Sequence, residues 1–514
     1  MTEDWPVGRR IVFGATASIG MGFLAGGIEA TSLAAREALP LGFLSFSLLG
    51  LADILLMGGF ALLIGLVFTP AHLLLSRARV STAIALQLTW VGFWLCGWFL
   101  WQAAIALYTP ERAIGAMAMA AMPIGFTGVI FFNARYAARR MEIGRPLGLP
   151  WLPSAFGSAL ALVLLSAGLY AVRDTGGPHA LSDDKNVLLI TVDSWSLPAE
   201  VPAPGMSPFR TAITPAPASR PAIASILTGL HPLRNTVLFD DDVLPWQYQT
   251  LAELLTKEGY ATGAFVSSPV VGADSGLEQG FRVFDDDSGT WIPGLRRINL
   301  MKWVLPRSPR PDADTLQAYT SWLSTKRNYP FFAWVHLQKP GQLSELVASV
   351  DDLSDETLIL VAGARGAEAP GLTDASVRIP MFLRFPSKNA EVDAQVRLMD
   401  LAATAITFLG IEGPETEGLD LAGYVEGSRK ANIACTLIGR DSRGEILLGL
   451  RNSGIKFIEH PGSDQIELYH IESDPTESHD IHAEQADTVT QAQRVLGVDS
   501  IRLEKLLAKR GEAK

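Results

Sequence analysis

Lysine is absent from the first 184 residues of this 514-residue chain, and cysteine occurs only twice, as Cys96 and Cys435. The first absence excludes an ordinary soluble surface over that third of the chain, since soluble domains cover themselves with charged side chains of both signs. The second excludes a disulfide framework: Cys96 lies inside an apolar stretch, far along the chain from Cys435, and no internal pairing is expected. Positive charge is scarce overall, with 42 Lys and Arg against 53 Asp and Glu. After residue 172 the balance is 32 basic to 46 acidic side chains, a sign that disfavours nucleic-acid binding.

Hydrophobic residues fill the lysine-free part. Five apolar stretches run over about residues 11–33, 41–68, 83–108, 113–133 and 151–172. Each reaches the roughly 20 residues that cross ~30 Å of hydrocarbon. The first exceeds the core of a signal peptide and four more follow it, so an uncleaved first helix is favoured. Arginine orients the set. Arg9, Arg10, Arg77, Arg79, Arg135, Arg139, Arg140 and Arg145 fall on one side, against Arg36 and Arg112 on the other. The positive-inside bias then places the N-terminus in the cytoplasm, and an odd number of crossings puts everything after residue 173 on the opposite face of the bilayer. The expected organisation is a five-helix transmembrane domain over 1–172, a linker over 173–185, a globular domain over 186–490 and a helical tail over 491–514.

Two carboxylates, Glu29 and Asp53, interrupt the apolar stretches, where a charge is costly. Glu29 lies about one turn from the end of its stretch and can reach the interface. Asp53 lies deeper, with no second acid or His expected at its depth; a hydrogen-bonded carboxyl facing the helix bundle is favoured over an ion or proton path. Trp90, Trp94, Trp98 and Trp101 recur at helical spacing and fit interface anchoring and bundle packing.

Past the linker, Asn186-Val-Leu-Leu-Ile-Thr-Val192 is a continuous apolar run typical of a strand buried on both faces, and it ends in Asp193. Thr357-Leu-Ile-Leu-Val361 and Gly263-Ala-Phe-Val-Ser267 read the same way, the latter after a helical pattern at Thr250 to Lys257. Alternating strands and helices predict an α/β layer fold with its site at the carboxyl ends of the strands.

The strand ending in Asp193 resembles the opening strand of the sulfatases and related members of the alkaline phosphatase superfamily. Pro217-Ala-Ser-Arg-Pro-Ala-Ile-Ala-Ser-Ile-Leu-Thr-Gly-Leu-His-Pro-Leu-Arg234 resembles their nucleophile helix. Val377-Arg-Ile-Pro380, Asp400-Leu-Ala-Ala-Thr404 and Glu467-Leu-Tyr-His-Ile-Glu-Ser-Asp-Pro475 follow in the family's order. The resemblance implies an α/β/α sandwich of the alkaline phosphatase type. With helices before it, the architecture is similar to that of bacterial envelope phosphotransferases, which implies a multi-pass protein of a bacterial-type inner membrane.

The resemblance also implies a divalent cation and an oxygen nucleophile, and here the sequence departs from the pattern. Asp193 stands at the first ligand position and His336 at another, while Ser219 falls at the nucleophile position. The residue four places after Ser219 is Ile223, not the Arg that sulfatases need to make a formylglycine. The Asp-His pair that would follow Thr357–Val361 is Ala364-Arg365, and the turn after His336 carries Lys339 and Gly341 where an Asp and a His are common. An incomplete ligand set cannot hold a catalytic dication, so no cofactor is expected. Arg365 and Lys339 become candidate binders of a sulfate, phosphate or carboxylate group; the competing reading is an Arg365 that pairs with Asp193 or faces solvent. Ser219 at a helix start reads more readily as an N-cap than as a nucleophile. The acidic runs Asp240–Asp242 and Asp285–Asp287 read as surface turns. The expected function is a catalytically degenerate, membrane-anchored binding protein with a bilayer, an envelope protein or an anionic glycan or lipid as partner. The alternative is an active metal-dependent sulfatase, phosphatase or phosphotransferase with one divalent cation in a rearranged site.

Overall fold

The computed structural model describes residues 185–287, 301, 308–386, 388–463 and 465–510, the helix at 43–75, and helical positions between 18 and 30 and between 156 and 167. Two compact units divide the chain: Met1–Gly176 with Gly289–Pro306, and Gly177–Ser288 with Arg307–Lys514.

In the first unit, helix α1 (Phe43–Leu75) covers the second apolar stretch, and within it Phe46–Leu63 is long and apolar enough to cross a membrane. Helical positions fall within the first and fifth stretches. The third and fourth stretches, with Cys96, the four Trp residues and the Arg135–Arg145 group, lie outside the described residues. The expectation that Asp53 has no acidic neighbour is corrected: Asp53 and Glu29 are both buried, within electrostatic reach of one another.

The second unit is built on an eight-stranded sheet. Its members are β1 (Asn186–Ser194), β2 (Ser207–Ile213), β3 (Ala261–Val266), β4 (Val283–Asp285), β5 (Phe331–Leu337), β6 (Thr357–Arg365), β7 (Arg378–Arg384) and β8 (Val392–Arg397). They lie in the order β4-β3-β5-β1-β6-β7-β2-β8. Neighbours from β4 to β6 pair in parallel, β7 runs antiparallel to both β6 and β2, and β8 is parallel to β2. The mostly parallel sheet expected from the apolar runs is therefore present.

Continuous apolar sequence makes these strands central. Every residue of β1 from Asn186 to Val192, all of β5, and β6 from Thr357 to Ala364 are buried, as a strand covered on both faces requires. On one face Leu188, Ile190, Val335 and Ile359 pack with Leu316, Tyr319 and Trp322 of helix α2 (Asp312–Lys326). Elsewhere the strands meet Phe281 and Phe284, whose rings stand 5.9 and 6.1 Å from that of Trp334.

A second, antiparallel sheet holds β9 (Cys435–Arg440), β10 (Ile446–Arg451), β11 (Ile455–Glu459) and β12 (Ile466–His470) in the order β12-β11-β10-β9. The last helix, α3 (Ala486–Arg510), buries Leu496, Leu503 and Leu507 in a cluster with Ile438, Leu448, Phe457 and Leu468. Its amphipathic spacing gives the sheet an apolar cover.

Lys456 of β11 is fully buried, which a lysine tolerates only when its charge is matched. Its ammonium donates to Glu477 and to the Leu372 carbonyl. Glu477 adopts a left-handed backbone at φ 56°, and its carboxylate also accepts the Asp374 N–H at 3.0 Å. Removing one partner strands a buried charge, so Glu477→Ala is expected to cost about 3–5 kcal/mol in urea unfolding. Glu477→Ala combined with Lys456→Met should recover much of that loss. A recovery of nothing would show that the carboxylate acts through its backbone contact instead.

Candidate functional site

The central trio β5-β1-β6 sets the geometry at the head of the sheet. Parallel register places Thr191 opposite His336 and Ser194 opposite Arg365, so the last residues of three adjacent strands arrive at the same height. Asp193 stands between them. Its Oδ1 accepts the Ser219 hydroxyl at 2.5 Å and faces His336 Nε2 at 3.6 Å, while its Oδ2 lies 3.5 Å from an Arg365 amino group. Four of the five residues singled out in the sequence therefore form one constellation. The fifth, Lys339, is exposed; its backbone N–H donates to Asp312, and its ammonium makes no ion pair among the described residues.

Ser219 opens a ten-residue helix, Ser219–Thr228, which is buried along its whole length. The N-cap reading is corrected: the cap residue is Ala218, which has no side-chain hydrogen bond, and the Ser219 hydroxyl donates to Asp193. The Arg220 N–H in the first turn donates to the Asp240 carboxylate at 2.8 Å. Asp240 thus has a structural task within electrostatic reach of Asp193 and Arg365. The surface-turn reading suits Asp240 and Asp241, both exposed, whereas Asp242 binds the Leu238 and Phe239 N–H groups and pairs with Arg510 at 2.9 Å. It fails for Asp285, which is buried in β4 and pairs with Arg310 at 2.9 Å.

A buried hydrogen-bond chain orients the His336 ring. Trp334 Nε1 donates to Thr191 Oγ1 at 2.9 Å, and the same oxygen lies 2.8 Å from His336 Nδ1. The ring is thereby turned so that Nε2, a fully buried atom without a hydrogen-bond partner, faces Asp193. This chain escaped the sequence reading, although it left a signal. Thr191 is the one polar residue inside an aliphatic strand, and a buried hydroxyl needs a partner.

Arg365 ends β6 and is followed by Gly366, whose N–H donates to Ser376 at 2.9 Å. A Cβ there would lie 2.7 Å from the Arg378 carbonyl oxygen, so the turn that aims Arg365 needs glycine. The competing reading of Arg365 is the one observed: it pairs with Asp193, and it also reaches Glu368 at 3.0 Å. Glu368 is 75% exposed, which makes it the weaker partner of the guanidinium.

Burial alone would raise the Asp193 carboxyl. The neighbouring His336 ring, the Ser219 hydroxyl and the Arg365 guanidinium outweigh it, and hold the group well below the usual carboxylate range.

The divalent cation implied by the resemblance does not fit this donor set. Both oxygens of Asp193 are already engaged, and a fixed guanidinium faces Oδ2. Among the described residues no group of three or more His, Cys, Asp or Glu side chains is placed to hold a metal ion. A dication brought to Asp193 would meet the charge of Arg365.

Known structures share this fold. A phosphonate monoester hydrolase of Agrobacterium radiobacter aligns at 17% identity with a TM-score of 0.50, covering 63% of this chain and 97% of its own. A candidate sulfatase from Bacteroides fragilis aligns at 15% identity with a TM-score of 0.51, covering 63% and 97%. The protein BT4656, in complex with its substrate D-glucosamine-2-N,6-O-disulfate, aligns at 13% identity and 0.51, covering 62% and 98%. No family model and no curated protein matches the chain. At these identities the likeness is one of fold.

A carboxyl held low when folded adds stability above its unfolded pKa of about 3.9 and loses it as pH falls toward the folded value. Asp193→Asn is therefore expected to be less stable than wild type by on the order of 2 kcal/mol near neutral pH. The gap should shrink below about pH 4. Urea unfolding across pH reads it, and a gap that widened in acid would contradict the assignment.

Proposed function

We propose that this chain is a membrane-anchored protein whose sulfatase-like domain binds an anionic group, presented by a partner protein or an envelope glycan or lipid, and does not cleave it. One observation carries the reading: Arg365 stands beside Asp193 at the head of the sheet, where a metal-dependent relative would need another ligand. A fixed cation there supplies charge and directional donors for sulfate, phosphate or carboxylate, but no hydroxide and no activated alkoxide. Ser219 is 2% exposed and its proton is committed to Asp193. A carboxylate held far below neutral pH is a poor general base for that serine. The five apolar stretches, the Phe46–Leu63 span and the arginine asymmetry support anchoring with the N-terminus in the cytoplasm. The substrate of BT4656 makes a sulfated sugar a first ligand class to try.

Glu368 is the group an incoming anion would displace from the guanidinium. Calorimetry with sulfate, phosphate and a sulfated disaccharide tests this. Arg365→Ala should weaken binding at least tenfold, whereas Glu368→Ala should tighten it several-fold, the scale of an exposed ion pair. Binding that survives Arg365→Ala would sink the reading.

The short Ser219–Asp193 contact favours a second reading, an active hydrolase or transferase with a rearranged metal site. Elemental analysis of the purified protein, paired with turnover of aryl phosphate and aryl sulfate esters, separates the two. Stoichiometric metal with turnover abolished by Ser219→Ala would establish the enzyme.

A further inference from the structure

The packing that holds α3 in place leaves its opposite face uncovered. Val489, Ala492, Leu496, Leu503 and Leu507 are buried in the cluster shared with the antiparallel sheet. Arg510 ties the end of the helix to the Thr236 carbonyl and the Asp242 carboxylate, each at 2.9 Å. At 3.6 residues per turn, the side chains that point the other way centre on Val498. Val495, Val498 and Ile501 stand there, 55%, 67% and 55% exposed. Among the described residues of the second unit they are three of the four most exposed large apolar side chains, the other being Val243 at 56%. Exposed apolar residues scattered singly need no explanation, but three within two turns of a docked helix form a patch.

The charges around the patch are mostly of one sign. Arg494 and Arg502 lie four residues on either side of Val498, and Lys505 and Lys509 follow it by seven and eleven, spacings that return to the same face. Arg494, Lys505 and Lys509 are exposed and make no ion pair among the described residues. Arg502 lies 3.5 Å from Asp499, a carboxylate that also accepts the Thr436 hydroxyl at 2.9 Å. Asp487, eleven residues before Val498, is the acid at a matching spacing, and Glu504 lies on the flank. A basic face of this kind runs against the 32 basic and 46 acidic side chains of the chain after residue 172.

That sign selects the occupant. A second copy of the chain would bring the same four cations against these, a like-charge juxtaposition that opposes self-pairing. An anionic lipid surface answers both features, since headgroup phosphates attract Lys and Arg while apolar side chains enter the boundary between headgroups and acyl chains. Membrane-spanning stretches earlier in the chain would hold the domain beside such a surface at high effective concentration, so that a patch too small to bind vesicles by itself can still dock.

We propose that the outer face of α3, centred on Val498 and ringed by Arg494, Arg502, Lys505 and Lys509, docks on the anionic headgroups of the bilayer that anchors the chain. It rests on the reading that the apolar stretches span that bilayer, and the test keeps the two apart.

Full-length protein is reconstituted into phosphatidylcholine vesicles with and without phosphatidylglycerol and treated with a water-soluble acetylating reagent, and the acetylation rate of each lysine is read by mass spectrometry. Lys339 and Lys430, both exposed, serve as internal references on the same molecules. Relative to them, Lys505 and Lys509 should react at least fivefold more slowly in the phosphatidylglycerol vesicles than in phosphatidylcholine alone. The protection should fade in about 1 M salt, where the screening length shrinks to ~3 Å. Val498→Asp should remove most of it while leaving thermal unfolding unchanged, because the side chain it replaces is exposed. Equal rates in the two kinds of vesicle would overturn the proposal. Protection that follows protein density and not phosphatidylglycerol content would assign the face to a second copy, and would overturn it too. The wild-type comparison decides even where the variant fails to fold. Alkaline carbonate applied to the same vesicles reads the anchoring separately: release of the protein removes the anchoring reading, while the response of Lys505 and Lys509 to phosphatidylglycerol still decides the docking.

Discussion

Three parallel strands locked in register make the rest of the domain intelligible. Because β5, β1 and β6 are covered on both faces, none can slip by a residue without driving apolar side chains out of one layer and backbone polar groups out of pairing. Register fixes height, and height decides which side chains meet. His336, Asp193 and Arg365 belong to distant parts of the chain, yet they converge because Thr191 pairs with His336 and Ser194 with Arg365. The backbone of the turns reinforces this: the Trp195 N–H donates to the Arg365 carbonyl at 3.0 Å, and the Ser194 hydroxyl donates to the Gly366 carbonyl at 2.9 Å.

Charge at the head of the sheet follows from that convergence. Asp193 faces three neighbours of different strength: a hydroxyl that donates to it, a buried imidazole and a guanidinium. A carboxylate so surrounded stays ionised and oriented. It is well suited to hold neighbouring donors in place and badly suited to move protons. Trp334 and Thr191 extend the same logic one layer deeper, since they decide which imidazole nitrogen faces the carboxylate.

Much of this was legible in the amino-acid sequence because strands buried on both faces leave an unmistakable apolar run. Asn186–Val192 and Thr357–Val361 announced themselves in that way; the end of the first named Asp193, whereas His336 and Arg365 were singled out by the family resemblance. Partnerships were harder to read. Asp53 and Glu29 are 24 residues apart in sequence, and the helix packing beside them depends on Gly26, where a Cβ would meet the Asp53 carbonyl, a contact invisible to hydropathy. Glu368 and Asp240 sit in exposed segments where acids are ordinary, and only the folded register shows what each one faces. Asp285 misled because an acidic run resembles a surface turn until Arg310, 25 residues away, is seen to neutralise it.

Arg365 has a further consequence. A metal-dependent site can be emptied by a chelator or starved by its surroundings, and its charge then vanishes with the ion. A guanidinium is part of the polypeptide and remains protonated across the whole physiological pH range. The head of this sheet therefore keeps the Arg365 charge in every ionic environment in which the chain is folded.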